Sequence, residues 1–177
     1  MSDNGDVHMD SGGEEPVYVA PIANPQLTGK TLKRSMKLLK RALAVEKLAK
    51  HQRLEGGHND IVLTRLVKRG VQDVTKAIRK GTDGIVLIAC DVHPIDVVAH
   101  LPVMCEDNNL AYAYVDTKRV ISHVCQSKRP TCVVLVVKPP QDLSKRLEQL
   151  AKGDHKLNYE DLYAKVNKAI RDVHPYM

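Results

Sequence analysis

Two short stretches leave this chain few ways to fold. Ile85-Val-Leu-Ile-Ala-Cys90 and Cys132-Val-Val-Leu-Val-Val137 are apolar at every position. Neither alternates polar with apolar residues, so neither suits a sheet with one wet face, and each demands cover on both sides. Gly81-Thr-Asp-Gly84 turns the chain into the first, and the loop Ser127-Lys-Arg-Pro130 precedes the second. Between them Ala111–Val115 reads as a third strand and Lys118 to about Cys125 as a short helix. Strands alternating with helices at this spacing predict an α/β chain built as a three-layer αβα sandwich.

The covering helices have their own signals. From Thr31 to about Leu54 the residues Leu32, Met36, Leu39 and Leu43 step by 4, 3 and 4, and Gly56-Gly57 ends the run. His58 to Val67 is then a connector closing in a short strand or turn. Asp91-Val-His-Pro94 is expected to open a helix, because proline suits the first helical position. Its apolar face (Ile95, Val98, Leu101) meets Pro102, where a kink or break is expected before Val103 to Asn109. Gln141 to Lys152 carries Leu143, Leu147 and Leu150. Asn158-Tyr-Glu-Asp161 resembles a cap for a last helix, with Leu162, Tyr163, Val166, Ala169, Ile170 and Val173 on its buried stripe.

Charge divides the chain. Residues 1 to 29 hold five acids and no Lys or Arg, whereas residues 30 to 53 hold nine bases against one acid. With Pro16, Pro21 and Pro25, the stretch 1–28 reads as a disordered acidic tail, and 29–177 as one domain. A folded part this basic argues for a polyanion, RNA foremost. Trp and Phe are absent and there are six Tyr, which disfavours modules that stack successive bases on paired aromatics. Lys33, Lys37, Lys40 and Lys47 form a stripe that reads either as a solvated face or as an RNA contact. No run approaches the ~18 apolar residues of a membrane-crossing helix, so no membrane partner is expected.

The segment Lys68–Lys80 has the most suggestive chemistry. On a helix, Val71, Val74 and Ile78 fall within one arc, while Gln72, Asp73, Lys76 and Lys80 fall roughly opposite. The amide donates and accepts, the carboxylate accepts, and the ammoniums suit phosphate. That set fits the edges and backbone of a folded RNA better than bond-making chemistry, although an ordinary amphipathic surface helix carries the same pattern.

Signals for an enzyme are sparse. There is no GxxxxGK, GxGxxG or GxSxG motif, so no cofactor is expected. Asp91, His93 and His100 form the one tempting cluster for a metal or a small α/β enzyme; the plainer reading has Asp91 or His93 capping a helix and His100 packed inside or at an interface. The four cysteines (Cys90, Cys105, Cys125, Cys132) lie 15, 20 and 7 residues apart with no CxxC pair, and read as reduced core thiols of an intracellular protein.

At this point several motifs together resemble one group. Gly-Val-Gln-Asp-Val-Thr-Lys at 70–76 looks like the Gly-Ala-Asn-Glu-x-Thr-Lys signature of the kink-turn-binding ribosomal-protein superfamily. Asp91-Val-His-Pro-Ile-Asp96, His100-Leu-Pro102, Cys105-Glu-Asp107 and Lys128-Arg-Pro-Thr131 follow in the family's order and spacing. The resemblance covers roughly 64–139. Pro21-Ile-Ala-Asn-Pro25 and Lys-Thr-Leu-Lys-Arg at 30–34 are similar to the leading segment of one branch, the basic subunit of H/ACA small nucleolar ribonucleoproteins.

The resemblance implies a central mixed four-stranded sheet, with the helices outside 64–139 as N- and C-terminal additions. It implies a non-catalytic RNA-binding role, with Gly70, Gln72, Asp73 and Lys76 reading sheared G·A pairs and Lys80 adding a backbone contact. His93 and Val97 would line one side of a flipped nucleotide, and Ser127, Lys128 and Arg129 the other. Val98, Leu101, Pro102 and Met104 would dock a small third subunit. The implied partners are the H/ACA guide RNA, that third subunit and a pseudouridine synthase, in the nucleus and nucleolus. The alternative is a ribosomal or box C/D protein that recognises a kink-turn alone. Gln72 and Asp73 stand where relatives carry Asn and Glu, and Ser122 where they carry a flexible glycine; these exchanges favour general RNA affinity over strict kink-turn specificity.

Overall fold

The computed structural model describes residues 18–54, 65–140 and 159–174. The expected helix over Gln141–Lys152 and the cap at Asn158 lie outside the described residues. A long helix α1 (Gly29–Leu54) leads to a three-residue strand β1 (Val67–Arg69), then α2 (Val71–Arg79) and β2 (Gly84–Ala89). A 3-10 turn at Ile95–Val97 precedes α3 (His100–Asp107). There follow β3 (Ala111–Val115), α4 (Lys118–Val124), β4 (Val133–Val137) and α5 (Glu160–Val173).

The strands form one mixed sheet in the order β1-β4-β2-β3. β4 runs antiparallel to both neighbours, with Val134 opposite Arg69 and Val133 opposite Ile88, and β2 runs parallel to β3. Every residue of β2 is buried, and so are Val133–Val136 of β4, as the two uninterrupted apolar runs require; β3 is buried throughout as well. Helices α2 and α3 pack on each other and form one group, while α1 packs on α4 and α5. Each fully buried Val, Leu or Ile adds about 1.5–3 kcal/mol of hydrophobic stabilisation before chain entropy is set against it. Gly84 is needed where β2 crosses β4: a Cβ there would lie 2.5 Å from Val136 O and 2.7 Å from Leu135 Cδ1.

Three local expectations fail for identifiable reasons. Residues 18–28 fall within the stretch expected to be disordered, yet the chain there pairs with the sheet. Leu27 N–H donates to Tyr114 O and Tyr114 N–H to Pro25 O, both at 2.8 Å, and Ala20 N–H reaches Cys90 O at 2.9 Å. Burying Leu27 beside β3 and Ala20 beside Cys90, with the hydrogen bonds they make there, outweighs the helix- and strand-breaking effect of the prolines. The second expectation concerned Pro102. α3 begins at His100 and runs through it unbroken, because Pro102 sits in the first turn, where its missing N–H has no carbonyl to meet. The interruption comes earlier, between the 3-10 turn and Ala99. Last, Asp91 caps no helix of its own: its Oδ1 accepts from Lys118 N–H at 2.7 Å, while Thr117 Oγ1 accepts from Val120 N–H as the N-cap of α4.

Candidate nucleic-acid interface

Sheet register gathers the candidate residues at one end of the molecule. β1, β2 and β3 all finish where β4 begins. Gly70 N–H donates to Val133 O (2.9 Å), Ala89 N–H to Cys132 O (2.8 Å) and Cys90 N–H to Val115 O (2.8 Å). The start of α2, the 91–99 segment after β2 and the 126–131 loop before β4 therefore share one rim.

Gly70 sits at φ 89, ψ 153, ahead of the first helical residue. This backbone region is essentially restricted to glycine. A Cβ would meet nothing within 4 Å, so the demand is conformational rather than one of internal crowding. The bare Cα also leaves the N–H groups of the first turn of α2 open to an acceptor. Its carbonyl accepts from Val74 N–H at 3.0 Å, which starts the helix.

Along α2 the amphipathic split is as expected. Val74, Ala77 and Ile78 are buried, whereas Gln72, Asp73 and Lys76 are exposed on one face. Asp73 in the first turn also suits the positive end of the helix dipole. Lys80 is exposed but is the C-cap, about 15 Å along the axis from Gly70, so it is not brought to the rim with the others. Sequence reasoning missed one base at the rim: Arg69 is exposed just before Gly70. Arg79 is exposed on the same face as Gln72 and Lys76 but about 14 Å along the axis from Gly70, so like Lys80 it lies away from the rim.

The flanking loops present His93 and Val97 on one side, both exposed, Val97 by 42%. The His93 ring is met edge-on by Tyr18, with centroids 5.6 Å apart. On the other side Lys128 and Arg129 are exposed. Ser127 is occupied locally: its hydroxyl donates to Arg129 O (3.0 Å) and accepts from Arg129 N–H (3.2 Å), which folds the loop on itself. Gln126, at φ 53, takes the left-handed conformation that turns the chain into this loop, and its side-chain oxygen accepts from Lys47 Nζ of α1.

Of the four docking candidates, two are corrected. Val98 and Leu101 are fully buried against the sheet and belong to the core, because the 3-10 turn before α3 rotates their stripe inward. Pro102 and Met104 are half-buried, and Val103 between them is 58% exposed.

The metal-like cluster does not converge. Asp91 is engaged at Lys118, His93 lies against Tyr18, and His100 is exposed with Nε2 3.2 Å from Thr75 Oγ1. Among the described residues no three His, Cys, Asp or Glu side chains are grouped to hold a metal. The cysteines are free thiols. Burial, then the nearby Asp116 and Asp91 carboxylates, push the Cys90 thiol up to about 11, and burial with Glu106 pushes Cys105 to about 12. Neither is a poised nucleophile.

Fold and rim define a small αβα protein whose amide, carboxylate and basic groups face outward together at one end of its sheet. The chain belongs to the ribosomal protein L7Ae/L30e/S12e/Gadd45 family, whose profile matches residues 52–147. It is similar to the H/ACA ribonucleoprotein complex subunit 2-like protein of Arabidopsis thaliana, at 36% identity over 82% of this chain and 80% of that one. The H/ACA ribonucleoprotein complex subunit 2 of Bos taurus is 35% identical over 75% and 74% of the two chains. Among solved structures, the Giardia lamblia 15.5kD RNA binding protein superposes with a TM-score of 0.63 at 20% identity, covering 88% of this chain and 99% of its own, a likeness of fold.

Proposed function

We propose that the protein is a non-catalytic RNA-binding subunit of an H/ACA small nucleolar ribonucleoprotein, the particle that guides pseudouridylation and processing of ribosomal RNA. One observation carries the reading: Gln72, Asp73 and Lys76 are exposed together on α2, behind a glycine that only glycine can be, on the rim shared with Lys128 and Arg129. The relatives bearing the H/ACA subunit name support it. Asp73 accepts from guanine N–H groups, Gln72 pairs with a base edge, and Lys76, Arg129 and Lys128 meet phosphates. A nucleotide turned out of the stack lies between His93 and Val97 on one side and Ser127–Arg129 on the other.

The chain contributes no catalytic group; the pseudouridine synthase of the particle does the chemistry. Pro102, Val103 and Met104 form the surface that docks the small third subunit, since Val98 and Leu101 are occupied in the core. The protein works in the nucleus and nucleolus. The test is retention of H/ACA guide RNA by the full chain at moderate salt, with affinity falling steeply as salt rises. Salt-independent or absent retention overturns the reading. Tight, guanine-dependent binding to an isolated kink-turn in competition favours a box C/D or ribosomal role instead.

A further inference from the structure

α1 is charged in a way that folding does not ask for. Its one acid, Glu46, is turned inward, where Oε1 accepts from Val67 N–H at 2.6 Å. Lys30, Lys33, Arg34, Lys37, Lys40 and Lys47 are exposed. At 100° per residue they fall within one arc of about 140°, opposite Leu38, Leu39, Ala42 and Leu43 in the core. No acid stands in the first turn, so the positive end of the helix dipole faces further positive charge. Lys33–Lys37 and Lys30–Arg34 are like-charged pairs at the repulsive i, i+4 spacing. A helix selected for stability alone carries acids at these places.

The face is also continuous with the rim. Lys33, Lys40 and Lys47 recur every seven residues, so they keep nearly one azimuth over about 21 Å. Lys47, the last of them, donates to Gln126, next to Ser127–Arg129. The row of ammoniums thus begins where the candidate RNA loop ends. It lies almost wholly ahead of the family match, which starts at residue 52.

We propose that this face of α1 is a second RNA contact, which grips the phosphodiester backbone of the stem flanking the nucleotides held at the rim. The occupant is a nucleic-acid duplex because the face offers spaced point charges, a single exposed apolar side chain at Leu48 and no aromatic platform, the pattern that reads backbone rather than bases. The inference rests on the function proposed above and extends its footprint.

The test uses the full chain and two guide-RNA hairpins, one with a long stem beyond the internal loop and one truncated at it. The variant K33Q/K37Q/K40Q keeps good helix formers at exposed positions and relieves like-charge repulsion, and a melting temperature equal to or slightly above wild type verifies folding. On the long stem it is expected to bind about tenfold or more weakly than wild type, with the log–log salt slope reduced by about 2 to 3 for three lost phosphate contacts. On the truncated hairpin it is expected to match wild type. Equal binding of variant and wild type to the long stem overturns the proposal. Failure of wild type and Lys76→Ala to differ on the truncated hairpin strikes the rim reading itself, and the two failures are thereby told apart.

Discussion

Replacing Gly70 by alanine separates backbone strain from every other reason for a glycine at this position. At φ 89 and ψ 153 the residue occupies a region that costs an L-amino acid about 1–3 kcal/mol. No atom lies within 4 Å of the added Cβ, so no clash contributes. Taking about 2 kcal/mol, and about 2–4 °C per kcal/mol for a chain of this size, Gly70→Ala is expected to lower Tm by roughly 4–8 °C. Asparagine, which tolerates the left-handed helical region at ψ near 50°, gains nothing at ψ 153, so Gly70→Asn is expected to cost as much. Thermal melts followed by circular dichroism, with denaturant midpoints as a check, read both. If the backbone relaxes instead of bearing the strain, the bond from Gly70 N–H to Val133 O opens, and RNA affinity falls as the start of α2 turns away. A Tm within 1 °C of wild type for both variants, with RNA binding intact, refutes the reasoning.

Lys76→Ala and Arg129→Ala are expected to weaken RNA binding while moving stability by no more than about 0.5 kcal/mol, as titration and melting of the same samples will tell. Leu101→Ala, in the core, is expected to cost about 2–5 kcal/mol by denaturant unfolding, whereas Val103→Asp is expected to leave the melt unchanged and to abolish co-purification of the third subunit. Stability is expected to hold level from about pH 7.5 to about pH 8 and to fall above it. There the unfolded chain releases thiol protons that the native state retains until about 11 at Cys90 and 12 at Cys105. Urea midpoints between about pH 8 and about pH 9, below the range where the buried tyrosines join in, are expected to fall less steeply in Cys90→Ala.

Much of this architecture was legible because it rests on runs that admit one solution. Wholly apolar strands at 85–90 and 132–137 require two covered faces, and the 3.6-residue period of α2 assigns Val74 and Ile78 inward and Gln72, Asp73 and Lys76 outward. What escaped depends on partners far away in the chain. Helical period sets Val98 and Leu101 on one stripe and leaves Val103 off it, yet nothing local says whether that stripe fills the core or meets a partner; the 3-10 turn at 95–97 sets the rotation. The 18–28 segment looks too polar and proline-rich to fold alone, and it orders because β3 offers hydrogen bonds that only the assembled sheet creates. Lys80 was grouped with Lys76 by angle alone, whereas its distance along the axis removes it from the rim.

That leading segment has a consequence for how molecules of this protein coexist at high concentration. β3 is an outer strand, and an open outer strand is a template on which another polypeptide can zip. Here Pro25 and Leu27 already occupy the hydrogen-bonding groups of Tyr114, and the opposite margin of the sheet is only three residues long. Among the described residues, the outer strand is thus capped at Tyr114 and the opposite strand is short, which disfavours strand-to-strand pairing between copies.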